Sequence, residues 1–138
     1  MTLHVKLDQK LMGYITTFEN LTKARVKDVF VLDDVLLFVV QTGEAGKAIG
    51  RRGSHSKRLT YLLKKKIKVI EHASTVENFI TGFLDPLKVD KIDIQGSRVV
   101  LSVKDSSTKG KIIGRNGKNL HLFNDLVQRY YHKAVAVA

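Results

Sequence analysis

The sequence predicts an α+β protein in which one α-β-β-α-α-β unit is used twice. Three observations predict this. The stretch Gly46-Lys47-Ala48-Ile49-Gly50-Arg51-Arg52-Gly53 returns 64 residues later as Gly110-Lys111-Ile112-Ile113-Gly114-Arg115-Asn116-Gly117, with six of the eight positions identical. At the same offset Val35, Leu37 and Val39 meet Val99, Leu101 and Val103, while Leu59, Leu62 and Leu63 meet Phe123, Leu126 and Val127. That reads as a duplication without a gap at its centre. Finally, the apolar period switches between that of a helix and that of a strand in the same order in each half. The halves are read as two small domains, residues 1–72 and 73–138, each a three-stranded sheet with its helices packed on one face. Units of this size bury modest cores, so they are expected to pack together. Almost no linker separates Glu71 from Ser74, which predicts a fixed mutual orientation.

In the first half, Asp8 is placed to cap a helix whose apolar positions Leu11, Ile15, Phe18 and Leu21 recur at helical spacing, with Tyr14 beside the stripe and an end near Thr22. Residues 27–32 alternate, with Val29 and Val31 on one side and Phe30 and Leu32 on the other. Asp33-Asp34 makes the turn of a hairpin, a better reading of these adjacent carboxylates than acid/base chemistry. Val35 to Val40 is apolar throughout, as a strand buried on both faces would be. Gly43 and Gly46 punctuate the exit, residues 44–49 allow one short helix, and the Gly50–Gly53 loop follows. Leu59, Leu62 and Leu63 then line a helix of about 12 residues whose other face carries Lys57, Arg58, Lys64 and Lys65. Ile67 to Ile70 closes the half as a strand.

The second half repeats the order. Ser74 with Glu77 forms a capping-box signature ahead of the stripe Val76, Phe79, Ile80, Phe83 and Leu84. Asp85-Pro86 stops that helix. Ile92 and Ile94 mark a strand, Gly96-Ser97 a turn, and Val99, Leu101 and Val103 the next strand. Ser106-Ser107-Thr108 leads into the short helix before Gly114, Phe123, Leu126, Val127 and Tyr130 line the following helix, and Ala134 to Val137 supply the last strand.

The net charge is +11, and its placement is more informative than its size. Residues 43–70 carry +8 and residues 107–133 carry +5, leaving −2 for the rest. The whole positive excess therefore lies on the repeated loops and the segments after them, the distribution of a polyanion footprint. There is no cysteine, which excludes disulfide frameworks and cysteine zinc sites. The longest apolar run, Val35 to Val40, is too short to span a bilayer, and the opening residues lack a signal-peptide core, so a soluble, cytoplasmic protein without a membrane partner is expected.

A Gly-x-x-Gly between two helices lets backbone approach a ligand closely, because glycine has no Cβ and adopts positive φ. The following helix start adds free N–H groups and a partial positive charge, so phosphate is the natural partner. Arg51, Arg52 and Arg115 lie inside the loops, with Lys47, Lys57, Lys111 and Lys118 within a turn of them. A strand, a short helix, Ile-Gly-x-x-Gly, an amphipathic helix and a strand, occurring twice with basic loops, strongly resemble KH domains. The extra helix and strand ahead of this core resemble the type II variant. The resemblance implies that each loop grips the backbone of about four nucleotides of single-stranded RNA while an apolar groove takes the bases. Carried over by position, it assigns RNA binding to Lys47, Ile49, Gly50, Arg51, Arg52, Gly53 and Lys57, and to Lys111, Ile113, Gly114, Arg115, Asn116, Gly117 and Lys118. Asn116 replaces the second basic residue of the first loop, which implies a weaker second clamp. Two abutting domains, with Lys6-Leu7, Phe18-Glu19 and Ala48-Ile49-Gly50, are similar to the archaeal NusA-like family of transcription factors. That likeness implies RNA binding in transcription elongation or termination, by a monomer without cofactor, with a nascent transcript or ribosomal RNA as ligand and RNA polymerase or a ribosomal subunit as protein partner.

Other classes fit less well. Gly43-Glu44-Ala45-Gly46-Lys47 has two residues between its glycines and Ala48 after its lysine, not the spacing and hydroxyl of a nucleotide-binding loop. The histidines His4, His55, His72, His121 and His132 lack metal-ligand spacing, with His55 and His121 near the loops. No nucleophile, base and orienter set stands out, so no catalysis is expected. An RNA-recognition motif would stack bases on strand aromatics, and these strands are aliphatic apart from Phe30 and Phe38. A ribosome-associated role is the alternative that the resemblance leaves open.

Overall fold

The structure, a computed structural model, describes residues 9–138, so the expected cap at Asp8 and the pair Lys6-Leu7 lie outside the described residues. The chain divides into two compact units, one closing at Ser74 and the other running from Thr75 to Ala138. Both are α+β.

In the first unit α1 (Gln9–Thr22) precedes the antiparallel pair β1 (Val26–Leu32) and β2 (Val35–Val40), and β3 (Lys66–Glu71) adds parallel to β2 for a sheet order β1-β2-β3. Between β2 and β3 lie α2 (Ala45–Ile49), a 3-10 turn (Arg51–Gly53) and α3 (Ser54–Leu63). Phe18 of α1 stacks on Phe38 of β2 with ring centroids 4.1 Å apart. Thr22 ends α1 by donating its hydroxyl to the Phe18 carbonyl (2.8 Å) and accepting from the Ala24 N–H (3.0 Å). Phe18, Ala48 and Leu59, one from each helix, share a core with Leu36, Phe38 and Val40. These three β2 positions alternate, so all three helices cover one face of the sheet. Leu37 and Val39 on the opposite face are buried as well, which is why β2 is apolar at every position.

The second unit repeats the plan with α4 (Val76–Leu84), β4 (Lys91–Gln95), β5 (Arg98–Ser102), α5 (Ser106–Ile113), a 3-10 turn (Arg115–Gly117), α6 (Lys118–Tyr131) and β6 (Ala134–Val137). Its sheet order is β4-β5-β6, again antiparallel then parallel. Phe83 stacks on Phe123 with centroids 4.5 Å apart. Helix α6 has 14 residues against 10 in α3, and Tyr130 and Tyr131 in its extra turn pack on Phe79 at 5.7 and 5.3 Å.

Three sequence expectations are corrected. The α4 cap is Thr75, whose hydroxyl accepts from the Asn78 N–H at 3.3 Å, one residue past the Ser74 signature. Leu62 is 44% exposed and does not belong to the core. The duplication is also not gapless. The hairpin turns Asp33-Asp34 and Gly96-Ser97 are 63 residues apart while the glycine loops are 64 apart, so Leu36, Phe38 and Val40 correspond to Val99, Leu101 and Val103. One extra residue between β5 and its loop absorbs the difference. Because β2 is apolar throughout, either register satisfies its pattern, and turn geometry decides which residues face the helices.

Candidate nucleic-acid interface

Each glycine loop is a hinge between a short helix that ends and a longer one that begins. In the first, the Gly50 N–H donates to the Gly46 carbonyl at 3.0 Å, and the backbone then swings out at Gly50 with φ 78° and ψ 171°. That region is open essentially to glycine alone. Arg52 follows in the left-handed region at φ 55° and ψ 30°, Gly53 at φ 71°, and the Gly53 N–H returns to the Gly50 carbonyl at 3.2 Å. The second loop reproduces the first. Gly114 sits at φ 77° and ψ 174°, Asn116 at φ 58° and ψ 23°, and Gly117 at φ 74°, with the Gly114 and Gly117 N–H groups donating at 2.8 and 3.1 Å.

This geometry turns the middle residues outward. Arg51, Arg52, Arg115 and Asn116 are all exposed, as are Lys47, Lys57, Lys111 and Lys118 on the flanking helices. Lys47 keeps an ion pair with Glu44 at 3.2 Å, with most of its own side chain still facing solvent. Ile49 is 40% exposed beside Gly50, and Ile113 is half-buried at the equivalent place. The residues that anchor the short helices in their cores are their neighbours Ala48 and Ile112. Ile49 thus presents an apolar surface at the entry to the loop that carries Arg51 and Arg52. All seven predicted residues of the first loop fall on one continuous α2–loop–α3 segment, and all seven of the second on α5–loop–α6.

Two further residues lie against the loops: His55, which the sequence already placed near the first loop, and Asn119, which it did not single out. His55 Nδ1 lies 2.9 Å from the Lys47 carbonyl, and Asn119 Nδ2 donates to the Lys111 carbonyl at 3.3 Å. They are 64 residues apart, so the repeat offset itself could have found them. His121, the other histidine near a loop, points to Asp125 on its own helix at 3.9 Å. Asp105 opens α5, accepting from the Thr108 hydroxyl at 2.6 Å and the Thr108 N–H at 3.0 Å. Those bonds, helped by Lys111, hold its carboxyl below the usual aspartate range. Among the described residues no group of three or more His, Cys, Asp or Glu could hold a metal ion, and no helix is long and apolar enough to cross a membrane.

Comparison with known proteins adds to this geometry. A family model described as KH domain matches residues 13–80. A protein of Halococcus morrhuae named probable transcription termination protein NusA is 31% identical over 131 residues, covering 94% of each chain. A protein of the same name from Methanococcus vannielii is 31% identical over 92% of this chain and 75% of its own. The crystal structure of APE1850 matches with a TM-score of 0.67 and 28% identity over 92% of this chain and 96% of that one.

Proposed function

From the premise that the chain belongs to the archaeal NusA-like family of KH-domain proteins, we propose that it is a non-catalytic, single-stranded RNA-binding protein that acts in transcription elongation or termination. In this reading residues 1–72 and 73–138 are two type II KH domains, and each glycine loop grips a run of sugar–phosphate. Loop amides and the exposed Arg51, Arg52 and Arg115 meet the phosphates, with Lys47, Lys57, Lys111 and Lys118 supplying nearby charge. Ile49 and Ile113 offer apolar surface to the bases, which are read where they are unstacked. The ligand is a nascent transcript, the setting is the cytoplasm, and RNA polymerase is the partner consistent with the names of the relatives.

One observation carries the reading. The same glycine-hinged backbone path occurs in both units, its angles at Gly50 and Gly114, at Arg52 and Asn116, and at Gly53 and Gly117 agreeing within 8°, and both times it sets an exposed arginine beside the start of a helix. A turn needed only for packing does not require a cation at its tip. Changing Arg51, Arg52, Arg115 and Asn116 together to Asp is expected to abolish binding to single-stranded RNA, followed by fluorescence anisotropy, with circular dichroism unchanged. Wild-type protein should prefer single-stranded over duplex RNA. Equal binding by a folded variant would sink the proposal.

A further inference from the structure

Resting on that reading, we propose that His55 and Asn119 are the positioning residues of the two RNA clamps, each holding its loop in gripping shape from the far side. The problem they solve is a helix end. Helix α2 finishes at Ile49, and its last carbonyls have no intrahelical partner. Gly50 N–H takes the Gly46 carbonyl, but the chain then departs at ψ 171°, carrying later amides away from the Lys47 carbonyl. His55, in the first turn of α3, reaches back across the loop and puts Nδ1 on that carbonyl at 2.9 Å. In the second unit Asn119 does the same for Lys111 at 3.3 Å.

The two side chains look dissimilar and are equivalent for this task. The histidine Nδ1 and the asparagine Nδ2 are both three bonds from Cα, and both can carry the hydrogen that a carbonyl accepts. In His55 the bond therefore selects the form protonated on Nδ1. The same side chains also lie over the hinge glycines. A Cβ on Gly50 would come within 2.8 Å of His55 Cγ and Ser54 Oγ, and one on Gly114 within 2.7 Å of Asn119 Cγ. The glycine and the tie are thus one device: the side chain packs where a Cβ would be, joining the end of one helix to the start of the next across Arg51 and Arg52, or Arg115 and Asn116. A loop held this way loses less freedom when it closes on a strand of phosphates, and so binds more tightly.

The test uses full-length protein and a short single-stranded RNA, with affinity by anisotropy and folding by circular dichroism. His55→Ala and Asn119→Ala should each weaken binding by about five- to tenfold, the scale of one net hydrogen bond. His55→Asn and Asn119→His, which keep a donor at the same reach, should stay within about twofold of wild type on that scale. If an alanine variant does not fold, His55→Gln and Asn119→Gln, which move the donor one bond outward, replace it with the same expected loss. The proposal is overturned if His55→Asn loses as much as His55→Ala, since the imidazole itself would then be what RNA needs. It is equally overturned if the folded alanine variants bind like wild type while Arg51→Asp does not. If Arg51→Asp also binds like wild type, the clamp reading itself has failed and takes this inference with it.

Discussion

Arg52 and Asn116 stand at the same place in the two loops, at φ 55° and φ 58°, and the conformation suits only one of them. Asparagine visits the left-handed region with little penalty, whereas a residue such as arginine pays on the order of 1–2 kcal/mol there. Strain kept at an exposed loop tip points to use of the side chain. Arg52→Asn is therefore expected to stabilise the fold by about 1 kcal/mol, raising the thermal midpoint by a few degrees in circular dichroism, and to weaken single-stranded RNA binding by anisotropy. Opposite signs in the two measurements would separate function from folding at one residue. The sequence made Asn116 legible as a missing charge. It did not make Arg52 legible as strained, because the identity of a loop residue does not reveal its φ.

At the level of elements, the two short helices begin differently. Helix α2 starts after Glu44 without a side-chain cap, while α5 starts three residues earlier relative to its loop and is capped by Asp105. The carboxyl of Asp105 has a lowered pKa in the folded protein, chiefly through the Thr108 hydroxyl and N–H. Its stabilising effect is therefore full above the ordinary aspartate pKa of the unfolded chain, and is lost as pH falls through the lower folded value. Urea unfolding should find Asp105→Ala less stable than wild type at neutral pH, with the gap closing as pH is lowered below about 4. A gap that persisted in acid would show that the cap does not depend on the carboxylate. Helix and strand order was legible because apolar period survives in any local context. Caps and register were not. Ser74 and Thr75 are both competent caps, and only the path of the chain chooses between them. The all-apolar β2 fits two registers equally, so the one-residue slip against β5 became visible only through the hairpin turns.

For the molecule as a whole, the placement of charge matters more than its sum. The positive excess confined to residues 43–70 and 107–133 was legible without any fold, because counting charges needs no coordinates. The structure adds that Arg51 and Arg115 are exposed at the tips of equivalent loops. A localised footprint and a diffuse basic surface both weaken with salt, but they distribute that dependence differently. For single-stranded nucleic acid the slope of log affinity against log salt is about −0.7 for each phosphate neutralised. If the loops are the footprint, Arg51→Ala and Arg115→Ala should each flatten the slope by about 0.7. Lys88→Ala, which removes an exposed charge outside both basic segments, should leave it unchanged. The measurement is an anisotropy titration of each variant at several salt concentrations. If all three substitutions flatten the slope alike, the ligand senses only the +11 net charge, and the loops have no special part in holding it.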